Sequence, residues 1–152
     1  MNAALRLGCG DYKLLCQDDM HFAHCVDLSD AADLLDQNPD ILVVRFGWSH
    51  TTFTGSLGRI GNTEFQNVNM HGLYPYADEP FLCRADCPVF GDPDGPYKEY
   101  AGSQGASEGD MVRRIAAMPG VRIAATDHPK CFHSGTRSCD PGRWTEEQRK
   151  SQ

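Results

Sequence analysis

Apolar residues at Leu28, Ala31, Ala32 and Leu35 recur at i, i+3, i+4 and i+7, which predicts one buried helix face. Ser29 is a fitting cap, Asp30 and Asp33 place negative charge in the first turn, and Asn38-Pro39 stops the segment. Ile41 to Phe46, ILVVRF, then opens with four consecutive apolar residues. Such a run suits a strand covered on both faces and therefore central in its sheet. A second helix is predicted up to Met118, with Ser107 and Asp110 in a capping pattern, Met111, Ile115 and Met118 inward, and Arg113 and Arg114 outward. Val121 to Thr126 reads as a strand, as does Tyr12 to Cys16. Phe53 to Ile60 and Thr63 to Val68 form the arms of a hairpin around Gly61-Asn62.

The order strand, helix, strand, strand, helix, strand predicts an α+β protein of the split βαβ, ferredoxin-like type, with both helices on one face of the sheet. A thioredoxin-like sheet is the alternative. Residues 71–106 hold five prolines and are expected to be a long loop inserted before the second helix. The length of 152 residues suits one domain, taken as 1–144, followed by a polar tail over 145–152.

Charge changes the picture in one respect. Residues 1–110 carry 17 acids and 6 bases, whereas residues 111–152 carry 4 acids and 8 bases. The basic residues of the second part stand singly or in twos, with no interleaved aromatic platform, so no nucleic-acid partner is expected. No run is long and apolar enough for a membrane helix, and the start has no signal-peptide pattern, so the expected location is cytoplasmic. The partner is expected to be a protein or a small molecule, with a homo-oligomer left open.

Chemistry is suggested by the seven cysteines, at 9, 16, 25, 83, 87, 131 and 139. An odd count cannot be satisfied by disulfides within one chain. Cys83 and Cys87, four residues apart, offer half of a metal site. DHPKCFHSGTRSC offers the other half, with His128, Cys131, His133 and Cys139. Zinc takes four such ligands tetrahedrally, and a loop rich in Pro and Gly gains from a metal clip. The first expectation is therefore a binding or accessory protein with a structural zinc held by Cys83, Cys87, Cys131 and either His133 or Cys139. The alternative for these residues is a set of small buried core thiols. A second group, Cys16, His21, His24 and Cys25 with Cys9 upstream, is weighed the same way, and there a loop before the first helix is preferred.

The stretch CRADCPVFGDPDGPYKEY resembles the second cysteine pair of thioredoxin-like [2Fe–2S] ferredoxins, through Cys83, Cys87, Pro88, Val89, Pro93, Asp94, Gly95 and Tyr97. The resemblance covers about 20 of the 152 residues. It implies an electron-transfer protein with a cluster on four thiolates, Cys9 and Cys25 completing the set. The glycine expected before Pro88-Val89 is absent, and the upstream cysteines lie too far away. A third class is a small enzyme using a Cys/His pair, such as Cys131 with His71 or His133. LRLGCGDY resembles the first glycine loop of S-adenosylmethionine-dependent methyltransferases, but Tyr12 replaces its third glycine and too little chain precedes it. His50 begins a single His-x-Thr step, half of what a two-histidine phosphoesterase needs.

Overall fold

The computed structural model describes residues 10–16, 20–22, 26–47, 51–72, 79–87, 112 and 114–133, with Phe132 and His133 described by backbone alone. They form an α+β fold whose main body is a mixed six-stranded sheet. We number its strands with a separate short pair in chain order: β1 Tyr12–Leu15, β2 Met20–Phe22, β3 Ile41–Arg45, β4 Phe53–Ile60, β5 Thr63–Val68, β6 Phe81–Arg84, β7 Arg122–Thr126 and β8 Cys131–His133. The helix α1 spans Leu28–Gln37. The large sheet runs β1-β6-β3-β7-β5-β4, and β2 pairs with β8. β3 and β7 are parallel; every other pairing is antiparallel.

The continuous apolar run does make ILVVR an interior strand, flanked by β6 and β7, with all five residues buried. Helix α1 follows its predicted face, burying Ala31, Leu34 and Leu35. Its cap, however, is Asp27 rather than Ser29. The Asp27 carboxylate accepts from the Ser29 N–H at 3.0 Å and from the Ser29 hydroxyl. A carboxylate at this place also meets the positive helix end. At the other end Asn38 closes the helix, donating from its backbone N–H to Leu34 and Leu35 and from its amide to Leu34.

The helices do not share a face. Leu34 and Leu35 pack with Ile41, Val44, Phe46, Phe65, Leu82 and Ala124. Ile115, with Val112 and Met118 beside it, packs with Val43, Phe81, Cys83, Ile123 and Ala125 on the opposite side. Val112 and 114–116 are helical, as expected; Met111 and the capping residues Ser107 and Asp110 lie outside the described residues. A sheet whose central strand is apolar on both faces needs a cover on each. The ferredoxin-like arrangement with both helices on one side is therefore corrected to helical cover on both.

The second correction concerns 71–106. This stretch is not only a loop: it supplies β6, which sits between β1 and β3 and is antiparallel to both. Four residues between Pro80 and a turn gave too short a period to distinguish from loop. The Gly61-Asn62 hairpin forms as predicted. The tail 145–152 lies outside the described residues. Among the described residues no helix is long and apolar enough to cross a membrane.

Candidate functional site

β3 and β7 run parallel and end side by side, at Arg45 and Thr126. In sheets with parallel strands, the carboxyl ends open a crevice because the chain leaves them in different directions. Here a cleft of about 400 Å³ lies at that end. Its lining is Val26 and Asp27 before α1, Phe46 after β3, Asn62, Thr63 and Phe65 from the hairpin and β5, and Thr126 and Lys130.

The walls are held by specific contacts. Asp30 is buried, and its carboxylate accepts the Asn62 N–H at 3.0 Å, fixing the hairpin turn against the helix start. Gly61 makes this approach feasible: its φ is +54°, and a side chain there would collide with the Asp30 carboxylate. The segment after β7 is pinned three times. Asp127 N–H donates to Glu64 O at 2.9 Å, the Thr126 hydroxyl to His128 O at 2.6 Å, and Lys130 N–H to Phe46 O at 2.7 Å. The last bond places Lys130 beside the aromatic floor. Phe46 and Phe65 are fully buried, and Phe22 meets Phe46 edge-on at 6.1 Å between ring centres.

Charge in the cleft is of both signs. Hydrogen bonds from the Ser29 hydroxyl and N–H hold the Asp27 carboxyl below the usual carboxylate range, so it is ionised at neutral pH. Among the described residues neither Asp27 nor Lys130 has an ion-pair partner, so the two do not neutralise each other across the cleft.

The cysteines lie elsewhere. Cys83 on β6 and Cys87 just beyond it are both buried in the cluster around Val43, Ile115 and Ile123. The neighbouring Cys87 thiol, and then burial, push the Cys83 thiol well above its ordinary range. Cys131 is buried on the other face, among Met20, Leu34 and Phe46. Burial, then the nearby Glu79 carboxylate and Cys16, raises its thiol to about 12. The structure thus brings Cys83 and Cys87 together and sets Cys131 across the sheet from them. His133 continues β8, two positions from Cys131. His128 is exposed and pairs with Asp127 at 3.1 Å. Cys139 lies outside the described residues, as do His24, Cys25 and Cys9. No group of three or more Cys, His, Asp or Glu among the described residues is arranged to hold a metal ion. Pro88 to Tyr97, which carry most of the ferredoxin resemblance, are outside them too.

Close to the cleft end of β3, Arg45 and Glu79 form a buried ion pair at 2.9 Å. Glu79 packs against Gly47, where any side chain would collide with its carboxylate. Val26, Phe46, Asn62, Thr63, Phe65 and Thr126 were not singled out for binding by the sequence. The available signal was indirect: two predicted strands, ILVVRF and VRIAAT, whose carboxyl ends are where a parallel pair would open a site.

No family model matches the chain, and neither a curated protein nor a solved structure matches it.

Proposed function

We propose that the protein is a binding protein for a small polar molecule, held in the cleft at the carboxyl ends of β3 and β7. The observation that supports this is the pairing of an unneutralised Asp27 and Lys130 with a buried Phe46 and Phe65 floor in one concave site. Such sites gain affinity from the apolar floor and orientation from a few polar groups. Lys130 suits an anionic group, Asp27 suits an amine, and Asn62, Thr63 and Thr126 add neutral hydrogen-bonding groups. A molecule carrying both charges on a short apolar frame, of the amino-carboxylate class, matches this set. The reading continues the expectation of a binding protein and assigns no reaction.

The test is amide chemical-shift mapping against a panel of amino carboxylates, with their amides and esters as controls that lack the carboxylate. Shifts centred on Val26, Asn62, Thr63, Thr126 and Lys130 are expected, strongest for a free carboxylate and reduced at least several-fold in affinity by Lys130→Ala. A panel that perturbs none of these amides overturns the reading.

A further inference from the structure

The two edges of the large sheet are unlike. β4 has register breaks, two glycines and mostly exposed residues. β1, at the other edge, pairs with β6 in unbroken register and holds neither glycine nor proline. Proteins guard a free edge with bulges, prolines or an outward lysine. The one lysine of β1, Lys13, is turned toward β6 and donates to Ala85 O at 2.8 Å. The direction of the backbone groups follows from the ladder. Asp11, one step before β1, accepts the Ala85 N–H at 2.8 Å. Bonded positions alternate in an antiparallel pair, so Lys13 with Cys83 and Leu15 with Phe81 face each other through hydrogen bonds. Phe46 N–H donates to Pro80 O, which by the same alternation turns Leu82 and Arg84 toward β3. Tyr12 and Leu14 therefore direct their N–H and C=O groups away from β6, to a side where no described strand lies. Their side chains share the α1 face of the sheet. The Tyr12 hydroxyl donates to the Asp36 carboxylate of α1, and Leu14 is 44% exposed. Asp33, one turn before Asp36 on α1, and Asp11, next to Tyr12 in the chain, are exposed as well. Arg84, opposite Tyr12, is engaged by the carbonyls at the end of α1.

We propose that the outer edge of β1 docks an extended, cationic peptide segment of a partner protein, added to the sheet as a further strand. The backbone of Tyr12 and Leu14 supplies the hydrogen bonds, and alternate side chains of the segment supply the selectivity. On the α1 face the segment carries an apolar residue beside Leu14 and a Lys or Arg beside Tyr12, where the Asp36 carboxylate lies. Asp33 and Asp11 extend the same negative field. That field decides between occupants. A second copy paired through its own β1 would set Asp11, Asp33 and Asp36 of one molecule against the same acids of the other, and like charges across an interface are unfavourable. A basic segment meets them with opposite charge. The site lies at the edge of the sheet and shares no residue with the cleft.

The probes are two end-blocked peptides, Thr-Val-Thr-Lys-Thr-Lys and its reverse, which cover both strand directions, added to the isotope-labelled full chain at low salt. Amide hydrogen exchange is expected to slow at Tyr12 and Leu14 and to stay unchanged at Lys13 and Leu15, whose N–H groups already face β6. Glutamate in place of both peptide lysines should weaken binding at least several-fold. Salt at about 1 M, where the screening length is about 3 Å, should do the same. Leu14→Pro removes the outward N–H and leaves the bonds to β6 in place, as an edge position allows. This variant should lose peptide binding, and its circular dichroism and melting curve are measured alongside. Asp36→Asn keeps an acceptor for Tyr12 and removes the charge; it should weaken binding at least several-fold, and it decides the matter if the proline variant unfolds. Equal binding of the glutamate peptide or by Asp36→Asn, no protection of Tyr12 and Leu14 by either lysine peptide, or protection that instead grows with protein concentration and without peptide, as a second copy on this edge would give, would each overturn the proposal.

Discussion

Gly61 shows how one position can hold two elements together. It sits at φ +54°, in the left-handed region, and against the Asp30 carboxylate that anchors the Asn62 N–H. Gly61→Ala would impose backbone strain of about 1–3 kcal/mol and force Asp30 away from the turn. We expect a loss of at least this size in urea unfolding, together with weakened binding in the cleft, since Asn62 and Thr63 line it. An unchanged midpoint would show that the turn tolerates the side chain. Arg45 and Glu79 illustrate the opposite balance. A buried ion pair recovers its desolvation cost only through close geometry, and Gly47 is what allows Glu79 to approach.

At the scale of elements, the helix and the parallel strands are tied by arginines from distant segments. No basic residue occupies the last turn of α1. Arg84 of β6 takes that place, donating to the carbonyls of Leu35, Pro39 (2.8 Å) and Ile41 (3.0 Å). A cation at the carboxyl end of a helix also meets its negative pole. Asp40, between α1 and β3, receives a two-pronged contact from Arg122 at the start of β7, while Arg122 N–H donates to Asp40 O at 2.8 Å. The hydrogen bond from Arg122 holds the Asp40 carboxyl below its ordinary value of 3.8. A depressed folded value stabilises the fold above the unfolded value and loses that effect as pH falls through the folded one. Asp40→Asn should therefore lower stability at neutral pH, by a modest amount because the pair is partly exposed. The gap between wild type and variant should close as pH drops below about 4. Urea melts at pH 7 and at pH 3 check this; a gap that widens with acid would contradict it.

For the molecule as a whole, helical cover on both faces makes β3 and β7 the most protected strands. β3 is buried along its length, and Ile123 to Thr126 of β7 are buried too. β4, at the sheet edge, is largely exposed and carries register breaks after Phe53 and Ser56. Such breaks protect an edge from pairing with other chains. Native-state hydrogen exchange should be slowest at Val43, Val44, Ala124 and Ala125 and faster by several orders of magnitude along β4. Equal rates would mean that the sheet does not open from its edge.

Local pattern determined much of this protein. The period of α1, the apolar run of β3, the hairpin at Gly61-Asn62 and the strand after Gly120 each depend on neighbours within a few residues, so the sequence alone revealed them. Only the tertiary structure decided the rest. Whether a helix lies above or below a sheet depends on which face its partners leave uncovered, and four residues of β6 become a strand only when β1 and β3 offer both edges. The cysteines show the same division. Spacing brought Cys83 and Cys87 together, since a turn of four residues is local. Whether Cys131 stands near them depends on which side of the sheet its strand meets, and that is settled across more than forty residues of chain. The cleft belongs wholly to the tertiary structure, because Asp27, Asn62 and Lys130 come from three segments that nothing in their own sequence requires to meet.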